Sequence, residues 1–231
     1  MEKNKDTYID RLRLILEANA DNSYAASMKK YMRNKFEFFG IRSPLRKELF
    51  RTFVRDNDWP ERDMETLCME LYAQPEREFH YFAIEMVDRN LKKFNESSVK
   101  LFEYMIVNNA WWDTVDSIAG NILGRFFKKH PQIIKDVTEN WMNSENIWLQ
   151  RSCILFQLKY KRETDTGLLY SFIRRLKFSN EFFIQKAIGW ILREYSKVNP
   201  DEVLRFTEGV ILKPLSRREA LRIMKKKGLI I

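Results

Sequence analysis

The chain has 231 residues, 45% of them hydrophobic and 14% aromatic, enough for a sizeable core, while 32% charged residues solvate the exterior. Seven glycines and six prolines are too few for a β-sandwich of many tight turns or for long disordered linkers. The net charge of +9 comes without any apolar run near the ~20 residues that span a bilayer, and the N-terminal MEKNKDTYID lacks a signal-peptide core, so no membrane association is expected.

Apolar spacing in chain order predicts helix after helix. Tyr8, Leu12, Leu14, Ile15 and Leu16 give the first one an apolar side, ending near Asn19 to Asn22. Ser23 is the expected cap of a second, running to about Lys35. The Phe36 to Gly40 segment turns, with Gly40 suited to a positive φ. Ser43-Pro44 opens a third, with Ser as cap and Pro in the first turn. Further helices are expected over about Pro60 to Tyr72, Glu76 to Asn90, Ser97 to Val107, and Trp112 to His130 with a break near Gly120. The later ones run over Pro131 to Met142, Glu145 to Leu158, Asp165 to Lys177, Glu181 to Lys197, Pro200 to Glu208 and Ser216 to Lys227. No segment alternates convincingly as a strand.

The helices repeat. An aromatic residue begins Phe79-x-x-x-Ala83, Trp112-x-x-x-Asp116, Trp148-x-x-x-Ser152 and Phe183-x-x-x-Ala187, at separations of 33, 36 and 35 residues. That is the length of a helical hairpin, a unit that buries its apolar face only by stacking on its neighbours. Stacking is expected to bring Trp112, Asp116, Arg151 and Trp190 toward one another.

Basic residues cluster. Nine lie between Met28 and Arg55 against Glu37 and Glu48, and six follow Ser216 against Glu219 alone. Such clusters attract a polyanion, but charge alone does not separate a nucleic-acid surface from a merely solvated face. Several chemistries lack their residues. There is no P-loop, no dinucleotide-binding glycine motif, no HExxH, and no Cys/His grouping for a metal. Cys68 and Cys153 are expected as buried thiols of a reducing compartment. His80 and His130 are assigned structural or surface roles, His130 at a helix end before Pro131.

Trp111-Trp112-Asp113-Thr114-Val115-Asp116 stands out. On a helix Trp112 and Asp116 share a face at i and i+4, and an aromatic wall beside a partly desolvated carboxylate suits a cation. Trp111 and Asp113 are assigned to core filling and helix capping. For Trp112 and Asp116 the chemistry alone leaves core and catalysis equally open.

Four groups of segments together resemble the AlkD family of DNA glycosylases, in the family's order and over about residues 7 to 225. They are Tyr31-Met32-Arg33-Asn34-Lys35-Phe36-Glu37-Phe38-Phe39-Gly40-Ile41, Trp111 to Asp116, Trp148-Leu149-Gln150-Arg151 with Leu155 to Tyr160, and Phe183 to Trp190 through Arg193-Glu194-Tyr195-Ser196. The resemblance implies a single all-α domain over 1–231, a solenoid of HEAT-like repeats with a basic concave groove for duplex DNA. It implies base excision repair, by hydrolysis of the N-glycosidic bond of cationic N3- or N7-alkylated purines such as 3-methyladenine and 7-methylguanine, with no metal and no cofactor. Carried over by motif, the catalytic carboxylate falls on Asp116, the tryptophans facing the sugar and backbone on Trp112 and Trp190, and the arginine beside them on Arg151. Arg151 is expected to neutralise a phosphate near the lesion.

Tyr31 falls in the segment that reads the damaged strand, and some relatives of the fold lack that helix or the activity. The cations expected to meet DNA are Lys29, Lys30, Arg33, Lys35, Arg42, Lys159, Lys186, Arg193, Arg217 and Arg218. A monomer in the cytoplasm, associated with the nucleoid, suits this role. Two other readings compete: a non-catalytic helical-repeat protein binding structured DNA or RNA, and a repeat protein for an acidic protein partner.

Overall fold

The computed structural model describes residues 8–57 and 63–229. They form two compact units, the first ending at Asn90 and the second beginning at Leu91. The first holds α1 (Tyr8–Ala18), α2 (Asn22–Tyr31), α3 (Ser43–Asp56), α4 (Met64–Tyr72) and α5 (Arg77–Asn90). The second holds α6 (Val99–Val107), α7 (Trp112–Ser117), α8 (Gly124–Lys129), α9 (Ile134–Asn143), α10 (Ile147–Leu155), α11 (Thr166–Leu176), α12 (Phe182–Tyr195), α13 (Pro200–Gly209) and α14 (Pro214–Lys226). Among the described residues the only strand-like pairing is an isolated bridge between Glu37 and Glu76. The all-α expectation therefore holds, and the repeat's four aromatics each fall in the first turn of a helix: α5, α7, α10 and α12.

Each unit has its own core. In the first, Phe50 meets Phe82 edge-on at 4.6 Å and Tyr8 meets Phe53 at 4.8 Å. In the second, Ile154, Leu155, Ile173, Ile184, Ile188, Ile191 and Leu192 form one buried cluster with Val203, Leu221 and Met224. Both cysteines are buried free thiols, as expected. His80 is also structural. It stacks on Tyr72, and its Nε2 lies 2.9 Å from the Gln74 carbonyl, which only accepts. Nε2 therefore carries the proton, leaving Nδ1 to accept from Arg77 at 3.1 Å. His130 closes the C-terminal end of α8 through its backbone N–H, which donates to the Phe126 carbonyl.

Several helix ends differ from their sequence-based positions. Asp21, not Ser23, caps α2: its carboxylate accepts from the Tyr24 N–H, and the Ser23 hydroxyl donates to the same carboxylate. α2 stops at Tyr31 rather than Lys35 because Arg33 and Asn34 both take φ of 56°, letting the Asn34 N–H close back onto the Lys29 carbonyl. Ser43 is the first residue of α3 and not its cap. The expected start of the fourth helix at Pro60 lies outside the described residues, and α4 begins at Met64 behind an Asp63 cap. α10 ends at Leu155, short of Leu158. The break expected near Gly120 is a π-helical turn, Ile118–Leu123, between α7 and α8.

The second unit depends on close approach of α12 and α14. A Cβ on Gly189 would lie 2.4 Å from the Glu219 Cβ and 3.0 Å from the Ser216 carbonyl oxygen. Gly189→Ala should therefore force these helices apart and cost about 1–3 kcal/mol of stability. Urea unfolding measures this directly, and an unchanged midpoint would show that the helices yield without strain.

Candidate active site

The site is assembled on three helix starts of the second unit. Trp111 precedes α7 in extended backbone, with Trp112 as its first residue and Asp116 one turn on. The six-residue α7 passes directly into the π-helical turn. Asp113 is the second residue of α7 rather than its cap, an acidic group in the positive first turn. Trp111 fills the core as expected, 8% exposed, packed at 5.0 Å from Phe183 and 5.7 Å from Trp148. Trp148 and Phe183 are themselves 5.0 Å apart, so the three rings close a cluster drawn from the N-terminal ends of α7, α10 and α12.

Arg151, on the second turn of α10, sits beside this cluster. Its side chain is 4% exposed and that of Asp116 is 16% exposed. The guanidinium grips both carboxylate oxygens, Nε to Oδ1 at 2.7 Å and Nη2 to Oδ2 at 2.9 Å. Its Nη1 donates to the Phe183 backbone carbonyl. The guanidinium thus joins Asp116 and α12 in a buried ion pair, with one N–H each on Nη1 and Nη2 beyond these three bonds. The bidentate geometry compensates the burial of both charges. Burial pushes the Asp116 carboxyl up from its ordinary value, against the pull of the Arg151 hydrogen bonds and charge; Asp113 adds to the upward push.

Among the residues assigned to chemistry, the structure joins Asp116 and Arg151 directly and sets Trp112 on the same helix face as Asp116. Trp190 lies on α12, two turns beyond Phe183, its ring half-buried against the second unit's core. The Phe183 carbonyl and ring, which complete the setting of Arg151, are a feature the sequence reading missed. The signal was the aromatic recurrence itself, which places Trp148 and Phe183 at equivalent helix starts.

The residues expected to meet DNA differ in exposure and in the contacts they make. In the first unit Tyr31 is 70% exposed, Lys30, Arg33 and Lys35 are exposed, Lys29 pairs with Glu37 at 2.8 Å, and the Arg42 guanidinium lies 4.6 Å over the Tyr24 ring. In the second, Lys186 and Arg193 both pair with Glu219, at 3.0 and 2.7 Å, and these contacts hold its carboxyl below its ordinary value, the Lys186 hydrogen bond most of all. Lys159 donates to the Asn121 side chain and Arg217 to the Thr207 carbonyl, while Arg218 is exposed. Among the described residues no helix is long and apolar enough to cross a membrane, and no three His, Cys, Asp or Glu side chains group as metal ligands.

Residues 12–224 match the family described as DNA alkylation repair enzyme. Among solved structures the chain is similar to a "Predicted DNA alkylation repair enzyme from Enterococcus faecalis", at 32% identity and a TM-score of 0.83 over 90% of this chain and 98% of that one. No curated protein matches.

The buried pair makes a stability prediction. Arg151→Met leaves the Asp116 carboxylate enclosed without its counter-charge and should cost about 3 kcal/mol. Adding Asp116→Asn to that variant should return part of the loss. Chemical denaturation of the two single variants and the double variant tests this, and strictly additive losses would show that the two side chains are not coupled.

Proposed function

The chain belongs to the DNA alkylation repair enzyme family, and from that premise we propose that it is a monofunctional DNA glycosylase that releases cationic N3- and N7-alkylated purines from duplex DNA. The single observation that carries this reading is the buried Asp116 carboxylate, held on both oxygens by Arg151 and one helical turn from Trp112. Such a group is preoriented, needs no reorganisation, and acts in surroundings that screen it weakly.

The chemistry suits a lone carboxylate. A purine alkylated at N3 or N7 already carries positive charge, so its departure with the glycosidic electron pair neutralises it and needs no general acid. What rises in energy is positive charge on the deoxyribose as the bond to C1′ lengthens. Asp116 stabilises that charge and accepts a hydrogen bond from the water that attacks C1′, whose proton leaves through the carboxylate to solvent. Each Asp116 oxygen keeps a lone pair beyond its Arg151 bond for this purpose. Trp112 and Trp190 offer electron-rich faces to the sugar. Arg151 acts through Asp116, fixing its orientation and keeping it ionised. The damaged nucleotide is held by its backbone rather than flipped into a base pocket, the usual glycosylase strategy.

This reading takes residues 1–231 as one HEAT-like repeat domain, acting as a monomer on DNA in the cytoplasm, with a basic groove for the duplex; Lys30, Arg33 and Lys35 of the first unit and Arg218 of the second are among the cations assigned to DNA. Two features support it: the family match runs through both compact units, and these side chains are exposed. Affinity for duplex should then fall as salt rises, by close to one unit of log–log slope per phosphate contact. Fluorescence anisotropy at 50 to 200 mM salt checks this, and a flat response would remove the groove from the proposal.

The decisive measurement is release of 7-methylguanine from a duplex with one such base, read as abasic sites. Asp116→Asn should lower single-turnover release more than a hundredfold, a loss of ~3 kcal/mol of transition-state stabilisation, while Asp113→Asn changes it little. Asp116→Asn should also lower stability, because it strips Arg151 of its counter-charge. Because burial raises the Asp116 pKa and the ionised form is the active one, enzymatic release should decline on acidification at a pH above an ordinary aspartate's titration. Binding without release by the wild type would instead support a non-catalytic protein for structured DNA or RNA.

A further inference from the structure

The proposed chemistry leaves one fully buried acid unused. Glu78, in the first turn of α5, accepts three consecutive backbone N–H groups: Phe39 on Oε2 at 3.2 Å, and Gly40 and Ile41 on Oε1 at 3.0 and 3.2 Å. These donors belong to the connection between α2 and α3, a stretch with no helix or sheet of its own to satisfy them. Burial pushes the Glu78 carboxyl up from its ordinary value, with the three N–H groups pulling against it.

The connection it grips is in turn locked to α2. The Phe39 carbonyl accepts from the Asp21 N–H at 2.9 Å, next to the carboxylate that caps the helix. Gly40 takes φ of +87°, and a Cβ there would lie 2.1 Å from the Asp21 carbonyl oxygen and 2.6 Å from the Ala25 nitrogen. At the far end of α2, the neighbouring residue of α5 does the equivalent work. The Arg77 N–H donates to the Glu37 carbonyl at 2.8 Å, and its guanidinium lies 3.8 Å over the Phe36 ring. Two adjacent residues of α5 therefore fix both ends of the segment that carries exposed Tyr31, Lys30, Arg33 and Lys35.

We propose that Glu78 is a positioning residue for DNA recognition: through the Phe39–Ile41 backbone it holds α2 in place, so that Tyr31 and its flanking cations meet the damaged strand's phosphates already arranged. This rests on the DNA reading above but not on its chemical step. Ordering a recognition segment in advance removes an entropic cost from binding, so the effect belongs in affinity and not in the rate of the bound complex. Glutamine is not an equivalent side chain here. Its NH2 group would face an N–H of the loop whichever way the amide is turned.

The test measures binding and single-turnover release together, on a duplex with one 7-methylguanine, for Glu78→Gln, Tyr31→Ala and the double variant. Glu78→Gln should raise the half-saturating protein concentration about tenfold, a loss of ~1.4 kcal/mol, and leave the plateau rate within about twofold of wild type. With Tyr31 already removed, the same substitution should cost markedly less, since both act through one surface. An unchanged half-saturation, a fall in plateau rate alone, or fully multiplicative effects would overturn the proposal. Hydrogen exchange on the wild type gives a readout that does not depend on the variant folding. Before DNA is added, the Phe39, Gly40 and Ile41 amides should exchange as slowly as those inside α5; fast exchange there also overturns the proposal. If the wild type binds duplex yet releases no base, the glycosylase reading fails, and the binding and exchange results still decide the role of Glu78.

Discussion

The ion pair between Asp116 and Arg151 constrains much of what surrounds it. A carboxylate and a guanidinium withdrawn from water each forfeit several kcal/mol of hydration, and only good geometry offsets that. Here the fork meets both carboxylate oxygens, and the remaining Nη1 finds the Phe183 carbonyl. Meeting those conditions requires α7, α10 and α12 to start at matched heights, which the packing of Trp111, Trp148 and Phe183 enforces. The aromatic cluster and the pair are thus one structure: the rings exclude water, and the pair satisfies the polar groups that exclusion would otherwise strand. The pairing also moderates Asp116, since a neighbouring cation weakens its field at a distance. At contact range the carboxylate still acts at full strength on whatever lies against its open lone pairs, so the pair favours a substrate brought close over one held at long range.

Buried acids organise this basic protein more than its composition suggests. In the first unit Glu78 collects backbone N–H groups. In the second Glu219 collects Lys186 and Arg193, with Arg222 at 3.7 Å. The consequence for function is that the net charge of +9 overstates the cations free to meet a polyanion. Lys186 and Arg193 reach a phosphate only by sharing with or leaving Glu219, whereas Lys30, Arg33 and Arg218 are exposed. A solvated surface pair breaks at little cost, but the Arg193 and Glu219 side chains are 15% and 11% exposed, and this pair is the less available of the two.

The helices and the proximity of Asp116 to Arg151 were largely legible in the sequence, for separable reasons. Apolar periodicity marks every helix because each buries one stripe, and the aromatic recurrence marks four helix starts because repeats stack equivalent positions. Local competition between caps was not legible. Asp21 and Ser23 are both good caps, and the choice falls to Asp21 because its own N–H is fixed by Phe39, far along the chain. The end of α2 was hidden similarly, since Arg33 and Asn34 at positive φ follow no glycine signal. Arg151 was expected beside Asp116, but its bond to the Phe183 carbonyl was not. Spacing reveals that two residues meet, but how completely a guanidinium is consumed depends on burial and on a carbonyl, and a carbonyl carries no sequence signature. Glu78 escaped for the same reason: its partners are three backbone N–H groups.

The π-helical turn after Asp116 bears on how rigidly the pair is held. A regular helix from Trp112 to Lys129 would keep one continuous face, whereas the wider turn over Ile118–Leu123 resets the register between the Asp116 end and the α8 end. Each end is then tied separately to the next hairpin. The Asp116 end is tied through Arg151 to α10. At the α8 end, the Gly124 carbonyl accepts from the Tyr160 hydroxyl at 2.7 Å, just past the end of α10. Two attachments to the same neighbouring hairpin, on either side of the register change, prevent α7 from rocking relative to α10. Were α7 free to rock, the bidentate geometry would degrade first, because it tolerates less angular error than apolar packing. The π turn therefore lets one segment satisfy both attachments, and it keeps a carboxylate that is costly to bury aligned with the one side chain that makes its burial stable.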